Sequence, residues 1–366
     1  MKILQVSSAS SFAGGERHVV DLINALAARG HELFAVVRPN SPLIPQLNIP
    51  AQNIQTLPLR NAFDAYSALS LAQLVSRHRV NVIHAHMARD YSLAAYAARR
   101  NRNKKFVVTR HVLFPLNRFH RRTLARASRV IAVSEATARH LQEQRLVAPE
   151  RIVVIRNGID LEKFQAIDSA SNRITNRRNL RVPENSLLVG SIGELRQLKR
   201  HDDFIRAAAI VSREFPSAYF VLAGAETSPA GEESERLKKL VDELGLSERF
   251  RFLGWLDNAL SLLSALDVFV SASQTESFGL VIAEAMAAGA AVVSTTTEGA
   301  VELIKDGETG LLVPVGSIDQ IASAISSLLS DANKRQQFAR QAQRIAAEQF
   351  SLKRMVDEVE RLYDAL

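Results

Sequence analysis

Glu276 and Glu284 stand eight positions apart in TESFGLVIAEAMAAG (275–289), around a single Phe-Gly step. DVFVSAS before them reads as a strand, and GLVIAEAMAAG as a helix closed by Gly289. One carboxylate therefore precedes the helix and the other lies inside it. A helix starting near Phe278 offers the free amides of Gly279 and Leu280. Together with the macrodipole these make an anion site, which Gly279 leaves open to close approach. Eight helical residues set the carboxylates about 12 Å apart along the axis. That is far from the separation of about 5 Å in a retaining glycosidase pair. The spacing suits the two ends of one elongated ligand with an anionic middle, the shape of a nucleotide sugar. For an isolated pair, a solvated loop glutamate and a second on an exposed helix face is the plainer reading, so the surrounding motifs must decide.

Those residues need a scaffold, and the chain supplies short β-branched runs alternating with helix-period segments. KILQV, LFAVV, VNVIHA, FVVTR, VIAVS and IVVIR form the first set, with helices such as ERHVVDLINALAARG between several of them. The polar stretch DSASNRITNRRNLRVPENS then breaks the rhythm and reads as a linker. LLVGSIG, YFVLAG, RFRFLGW, DVFVSAS and AAVVST restart it. Alternation of this kind implies parallel, doubly wound sheets. The expected fold class is α/β, with two Rossmann-like domains facing a central cleft and ligands at the carboxyl ends of strands. Domains are expected at residues 1–163 and 164–349, with an amphipathic helix over 350–366 packing back on the first.

Composition narrows the function. With no cysteine among 366 residues, disulfides and thiolate metal sites are excluded. No apolar run approaches 18 residues and the N-terminus reads as a strand, so a cytoplasmic protein is expected. Charge is uneven. Residues 1–165 hold 24 Lys and Arg against 10 Asp and Glu, whereas residues 166–366 hold 22 against 28. A basic first half suits an anionic lipid or a phosphorylated substrate, and aromatics at 6% with no recognition motif rank nucleic acid last.

The stretch 268–314 closely resembles the signature region of the large retaining glycosyltransferase family of GT-B fold that contains sucrose synthases, phosphatidylinositol mannosyltransferases and lipopolysaccharide core glucosyltransferases. SSFAGGERHVVDL is similar to its N-terminal Gly-rich loop, IRNGID to its interdomain crossing, and SIGELRQLKRHDDFIRA to its phosphate-binding loop. The resemblance runs along almost the whole chain. It implies that Glu276 hydrogen-bonds the donor sugar, that Glu284 binds ribose, and that backbone amides at Phe278, Gly279 and Leu280 meet sugar and diphosphate. It places Lys199 on the leaving diphosphate, where a fixed cation stabilises the charge that bond cleavage creates. The family usually has Arg after the glycine of this loop; here Glu194 stands there, and Arg196 is the candidate replacement cation. Glu298 is a second departure, where a glycine pair is usual. Gly14 and Gly15 allow backbone to approach the donor phosphates or the acceptor. His111 matches the histidine beside the donor's anomeric carbon.

His84 and His86 in VIHAHM are assigned to opposite faces of a strand, with His86, nearer its end, the better candidate for the cleft. No Asp-x-Asp occurs and no histidine or carboxylate cluster has metal-ligand spacing, so no metal and no cofactor is expected beyond the nucleotide sugar itself. The basic runs 98–105 and 114–129 remain. The second could form an amphipathic helix whose Arg118, Arg121 and Arg122 meet an anionic leaflet, or a solvated helix packed on the sheet. The expected function is a retaining, metal-independent transferase moving a sugar, expected to be UDP-linked, to a glycan or lipid-linked acceptor at the inner membrane face. An epimerase or phosphorylase on the same fold, or a non-catalytic binding module, are the alternatives.

Overall fold

The structure is a computed structural model that describes residues 1–102, 104–165, 170–226, 231–256 and 258–366. Asn103 of the first basic run, and Asp168 and Ser169 of the expected linker, lie outside the described residues. The chain divides into two compact units, residues 1–158 with 352–366, and residues 159–351. The divisions expected from the sequence, 163/164 and 349/350, differ from these by five and two residues.

The N-terminal unit is built on seven parallel strands, β1 (Lys2–Ser7), β2 (Glu32–Val37), β3 (Ile54–Thr56), β4 (Val82–Ala85), β5 (Lys105–Arg110), β6 (Arg129–Ala132) and β7 (Ile152–Val154). Their order is β3-β2-β1-β4-β5-β6-β7, so the winding reverses between β1 and β4. Inner strands are buried on both faces and read as continuous apolar runs, as a helix-covered parallel sheet requires. Gln5, His84 and Thr109 interrupt this and are buried nonetheless. Helix Gly14–Ala28 follows β1. Its first turn is fixed by the Glu16 carboxylate, which accepts the Ala13 N–H at 3.0 Å. Val19, Leu22, Ile23 and Leu26 of this helix share a core cluster with Met355, Val356, Val359 and Tyr363 of helix Leu352–Asp364. Arg29 bridges Asp357 (2.7 Å) and Glu360, and His31 reaches Glu360 at 2.7 Å.

The C-terminal unit has six parallel strands, β8 (Leu188–Ile192), β9 (Tyr219–Ala223), β10 (Phe250–Gly254), β11 (Val268–Ser271), β12 (Ala291–Thr295) and β13 (Leu311–Val313). Their order is β10-β9-β8-β11-β12-β13, with the reversal between β8 and β11.

The expected linker is corrected by the structure. Much of it is helix Ala170–Asn179, which belongs to the C-terminal unit. Its arginines made the segment look solvated, but they act as hydrogen-bond donors. Arg173 donates to the Ser264 and Leu266 carbonyls at 2.9 and 3.0 Å and to Asp267 at 2.8 Å. Arg177, 5% exposed, donates to Asp267 at 2.6 Å and to the Ser186 carbonyl at 2.6 Å. Asp267 also accepts the Leu188 N–H at 2.8 Å, which ties the helix to the start of β8. Asp267→Ala would leave a buried guanidinium without its carboxylate. Urea unfolding of this unit should therefore show a loss of about 3–5 kcal/mol; a loss below about 1 kcal/mol would mean that the carbonyls suffice.

Candidate active site

In open parallel sheets, polar groups collect where strand order reverses, because adjacent loops part there. At the reversal of the C-terminal unit, the loop after β8 carries Gly193 to Arg200 and the loop after β11 runs to Gly279. The Gln274 N–H donates to the Leu198 carbonyl at 2.8 Å and joins the two loops. Across this junction Lys199 Nζ donates to Glu276 Oε1 at 2.6 Å, and Ser273 Oγ donates to the same oxygen at 2.7 Å. The two charged side chains are only 24% and 11% exposed. The β8 loop is held against the end of β9. Gly193 and Leu195 donate to the Ala223 and Ala225 carbonyls, each at 3.0 Å. Gly224 is required there, since a Cβ would fall 1.8 Å from the Gly193 carbonyl oxygen. His201, pushed down to about 4 by burial, holds the loop through the Glu194 carbonyl at 3.2 Å.

The helix after the β11 loop is Leu280–Ala287, preceded by Gly279 at φ +91°. It starts two residues later than expected. The separation of about 12 Å holds only for continuous helix, whereas Glu276 lies in the preceding loop and Glu284 on the helix. Phe278 is 2% exposed and packs edge-to-face on Phe350, so it offers this site its backbone and not its ring. Leu280 and Glu284 are half-buried. Glu194 is paired with Arg196 at 3.2 Å, so the loop's unusual carboxylate and its candidate replacement cation neutralise one another. Glu298 lies exposed and accepts from Thr275 Oγ1 at 3.2 Å.

At the reversal of the N-terminal unit, the structure gathers histidines. His84 and His86, two residues apart, share a face, and their rings are 4.3 Å apart; the assignment to opposite faces is wrong, because side chains alternate with period two. Both nitrogens of His84 are used, by Tyr363 Oη at 2.6 Å and Thr109 Oγ1 at 2.7 Å. His86 Nε2 meets Gln5 Oε1 at 2.7 Å, and its Nδ1 faces His111 Nε2 at 3.2 Å. Gly14 and Gly15 open the neighbouring helix. A Cβ on Gly15 would lie 3.6 Å from His111, in contact with its ring. Two residues here were missed from sequence. His18 was legible as a histidine on the stripe with Leu22 and Leu26. Asp90, which accepts the Ser8 N–H at 2.8 Å, carried no local signal.

Arg118, Arg121 and Arg122 are exposed, but the amphipathic helix expected over 114–129 is only His120–Leu124. Its apolar residues part company. Leu124 is in the core and Leu116 packs against it, while Phe119 is 73% exposed and stacks edge-to-face on exposed Phe63.

Burial shifts several of these groups. It pushes His18 down to about 4; Asn157 opposes this, although its Oδ1 and both His18 nitrogens lie outside hydrogen-bond geometry. His84, His86 and His111 are held well below 6.5 by burial first, then by the neighbouring rings, His18 among them, and for His111 also by Arg110. Asp90 is pushed up to about 6 by burial. The native histidines stay neutral while the unfolded chain takes up protons, so stability falls as pH drops through the window from 6.5 toward 4. Asp90 acts oppositely, since its native form binds a proton first. From pH 7 to pH 5, His18 and His201 each lose about 2 kcal/mol and Asp90 offsets about 1. Urea midpoints at the two pH values should drop accordingly, and an unchanged or higher midpoint at the lower pH would contradict the neutral-histidine assignment.

Residues 172–345 match the family model described as Glycosyl transferases group 1, and residues 12–163 match that described as Glycosyltransferase Family 4. The lipopolysaccharide core biosynthesis glycosyltransferase LpsE of Rhizobium meliloti is 31% identical over 352 residues, 94% of each chain. The N-acetyl-alpha-D-glucosaminyl L-malate synthase of Bacillus anthracis is 29% identical over 363 residues, 94% of this chain and 91% of that one. Among solved structures, Anabaena HepE in complex with UDP-glucose aligns over all of both chains with a TM-score of 0.88 and 25% identity. Sucrose-phosphate synthase from Thermosynechococcus elongatus aligns over 100% of this chain and 98% of its own, with a TM-score of 0.80 and 22% identity. Two doubly wound units and a relative alike along nearly its whole length lead to one conclusion: the chain is a glycosyltransferase of GT-B fold and belongs to the group 1 glycosyl transferases.

Proposed function

We propose that the chain transfers a sugar from a nucleoside diphosphate donor, UDP-linked, to a glycan or lipid-linked acceptor of the cell envelope. The transfer retains anomeric configuration and needs no metal on the diphosphate. The observation that carries this reading is the Lys199–Glu276 pair at the β8/β11 reversal, beside the start of helix Leu280–Ala287. The UDP-glucose complex of HepE and the lipopolysaccharide role in the name of LpsE support the choice of donor and acceptor. Retention is carried over from the resemblance to retaining enzymes.

When a donor binds, Lys199 exchanges Glu276 for the diphosphate, and Glu276, still held by Ser273, turns to the sugar hydroxyls. The amides of Gly279 and Leu280 meet the phosphates, and Glu284 meets the ribose. As the bond from the anomeric carbon to the diphosphate oxygen breaks, the electron pair leaves with the phosphate. Lys199 stabilises that charge, a contact worth about 1.5–3 kcal/mol. Lys199 and the amides thus fill the place a divalent ion takes in metal-dependent transferases. Arg196 joins them only if Glu194 releases it. Gly14, Gly15, His86 and His111 mark the reversal of the N-terminal unit as the acceptor's place, with His111 the side chain that serves the reaction. Among the described residues no helix is long and apolar enough to cross a membrane. Contact with the inner membrane face is assigned to Arg118, Arg121 and Arg122 with Phe63 and Phe119.

Two experiments test this. Glu284→Ala should weaken UDP binding measured by calorimetry. Glu276→Ala should bind UDP as well as or better than the parent, since Lys199 is released, yet lose turnover. Identical behaviour of the two variants would sink the division of labour between them. For the membrane contact, the chain should sediment with anionic vesicles and release as salt rises. Replacing the three arginines with Ser should remove about 3 kcal/mol of that affinity, at about 1 kcal/mol each, and leave UDP binding intact. Absence of sedimentation at low salt, with a raised acceptor KM in the triple variant, would assign the arginines to a phosphorylated soluble acceptor instead.

A further inference from the structure

Gln5 is a carboxamide on the inner strand β1 and is only 1% exposed. A buried amide is costly unless both of its ends find hydrogen bonds. Its partners decide which end lies where. Gln5 Nε2 donates to Tyr363 Oη at 3.4 Å, and Gln5 Oε1 meets His86 Nε2 at 2.7 Å. With an N–H arriving at its oxygen, Tyr363 gives its own hydrogen to His84 Nδ1 at 2.6 Å. His84 then keeps its proton on Nε2 and donates to Thr109 Oγ1 at 2.7 Å. Tyr363 belongs to helix Leu352–Asp364, so the last helix of the chain pins an amide on its first strand.

This orientation propagates to His111. An amide oxygen only accepts, so His86 carries its proton on Nε2 and presents Nδ1 as a lone pair. That Nδ1 faces His111 Nε2 at 3.2 Å, which is therefore the N–H of the pair. Burial first, and then the neighbouring rings, hold His86 and His111 well below 6.5 and keep them neutral. A neutral imidazole has one ring proton, so Nδ1 of His111 is bare. Two further observations agree with this direction. Nδ1 of His111 is buried with no hydrogen-bond partner, and buried N–H groups without a partner are rarer than buried acceptors without one. The ring also lies against Gly15, in the first turn of helix Gly14–Ala28, where the positive end of the helix dipole favours a lone pair over an N–H.

We propose that Gln5 is a positioning residue for His111: oriented by Tyr363 and acting through His86, it holds that ring as the single tautomer with its proton on Nε2. A ring held in one tautomer presents one fixed dipole to the charge that bond cleavage creates, and a ring exchanging between two does not. The consequence for turnover rests on His111 serving the reaction, whereas the tautomer is a property of the ligand-free chain.

The test is a two-bond proton–nitrogen NMR spectrum of the full chain carrying isotope-labelled histidine, which separates a protonated from a bare ring nitrogen. His111→Ala identifies the His111 signals. In the parent at neutral pH, His86 and His111 should each show a protonated Nε2 and a bare Nδ1. Gln5→Leu removes the acceptor of His86 Nε2 and should turn the His111 signals into those of exchanging tautomers. Tyr363→Phe removes one oxygen, frees the amide to turn over, and should do the same even if Gln5→Leu does not fold. Thr109→Val cuts only the far side of His84 and should leave His111 unchanged. Turnover of UDP-glucose, followed as UDP release, should fall about tenfold in kcat in Gln5→Leu at unchanged KM, less than the hundredfold or so of losing a transition-state donor outright. His111→Ala should lose at least as much, and parental turnover in that variant would remove the catalytic reading of His111 while the spectra still decide its tautomer. A proton on Nδ1 of His111 in the parent, or both tautomers mixed there, would overturn the positioning. His111 signals unchanged in both Gln5→Leu and Tyr363→Phe would do so too, as would a parental kcat in Gln5→Leu beside an impaired His111→Ala.

Discussion

The reversal of strand order in each sheet is the constraint from which the rest follows. Parallel strands joined by right-handed crossovers must be covered on both faces, and their interiors exclude unpaired polar groups. Only at β1/β4 and β8/β11 do neighbouring connections depart in opposite directions and leave the carboxyl ends uncovered by their own loops. Gln5, His84, His86 and Thr109 gather at one reversal, and Ser273, Glu276 and Lys199 at the other. Ser294 and Thr295 of β12 and Arg110 of β5 are buried polar residues as well, while the inner strands are otherwise mostly apolar and serve to hold these ends still.

The Lys199–Glu276 pair shows how such an end is made ready without a ligand. Two opposite charges, each mostly buried, would be costly apart and are tolerable together. Because Ser273 shares Glu276 and the Gln274–Leu198 bond joins the loops, both side chains of the pair are held in one geometry, which under the proposed function is where the donor is received. Rigidity on this scale comes from backbone as much as from charge. Gly224 lets the end of β9 lie against Gly193, and Gly279 takes the left-handed turn from which the helix begins.

Local features were legible in the sequence and assembled ones were not. Eleven strands announced themselves as β-branched runs, even the three-residue edge strand β7, which sits in the longer run IVVIR; β3 and β13, equally short and at sheet edges, did not. Helix Ala170–Asn179 was read as linker because its arginines look solvated until Asp267 is placed beside them. In the site, Glu276, Gly279, Glu284 and Lys199 sit in contiguous motifs and could be named. The histidine group could not, since His86 and His111 are 25 residues apart and meet only because β4 and β5 pair in register. The error over His84 and His86 was of another kind, a strand's period misapplied.

Helix Leu352–Asp364 belongs to the unit that the chain begins, although the whole C-terminal unit is threaded between them. Tyr363 completes the partners of His84, and Met355, Val356 and Val359 close the core beside helix Gly14–Ala28. During synthesis, therefore, the first unit emerges with part of its core open and must wait for about 190 more residues. At ribosomal rates of about 5–20 residues per second that interval is about 10–40 s. The second unit, whose sheet lies wholly within residues 159–351, can complete itself first. Order along the polypeptide and order of completion are thus reversed, and the nascent chain holds an unfinished apolar face that is exposed to chaperones and proteases for most of its elongation.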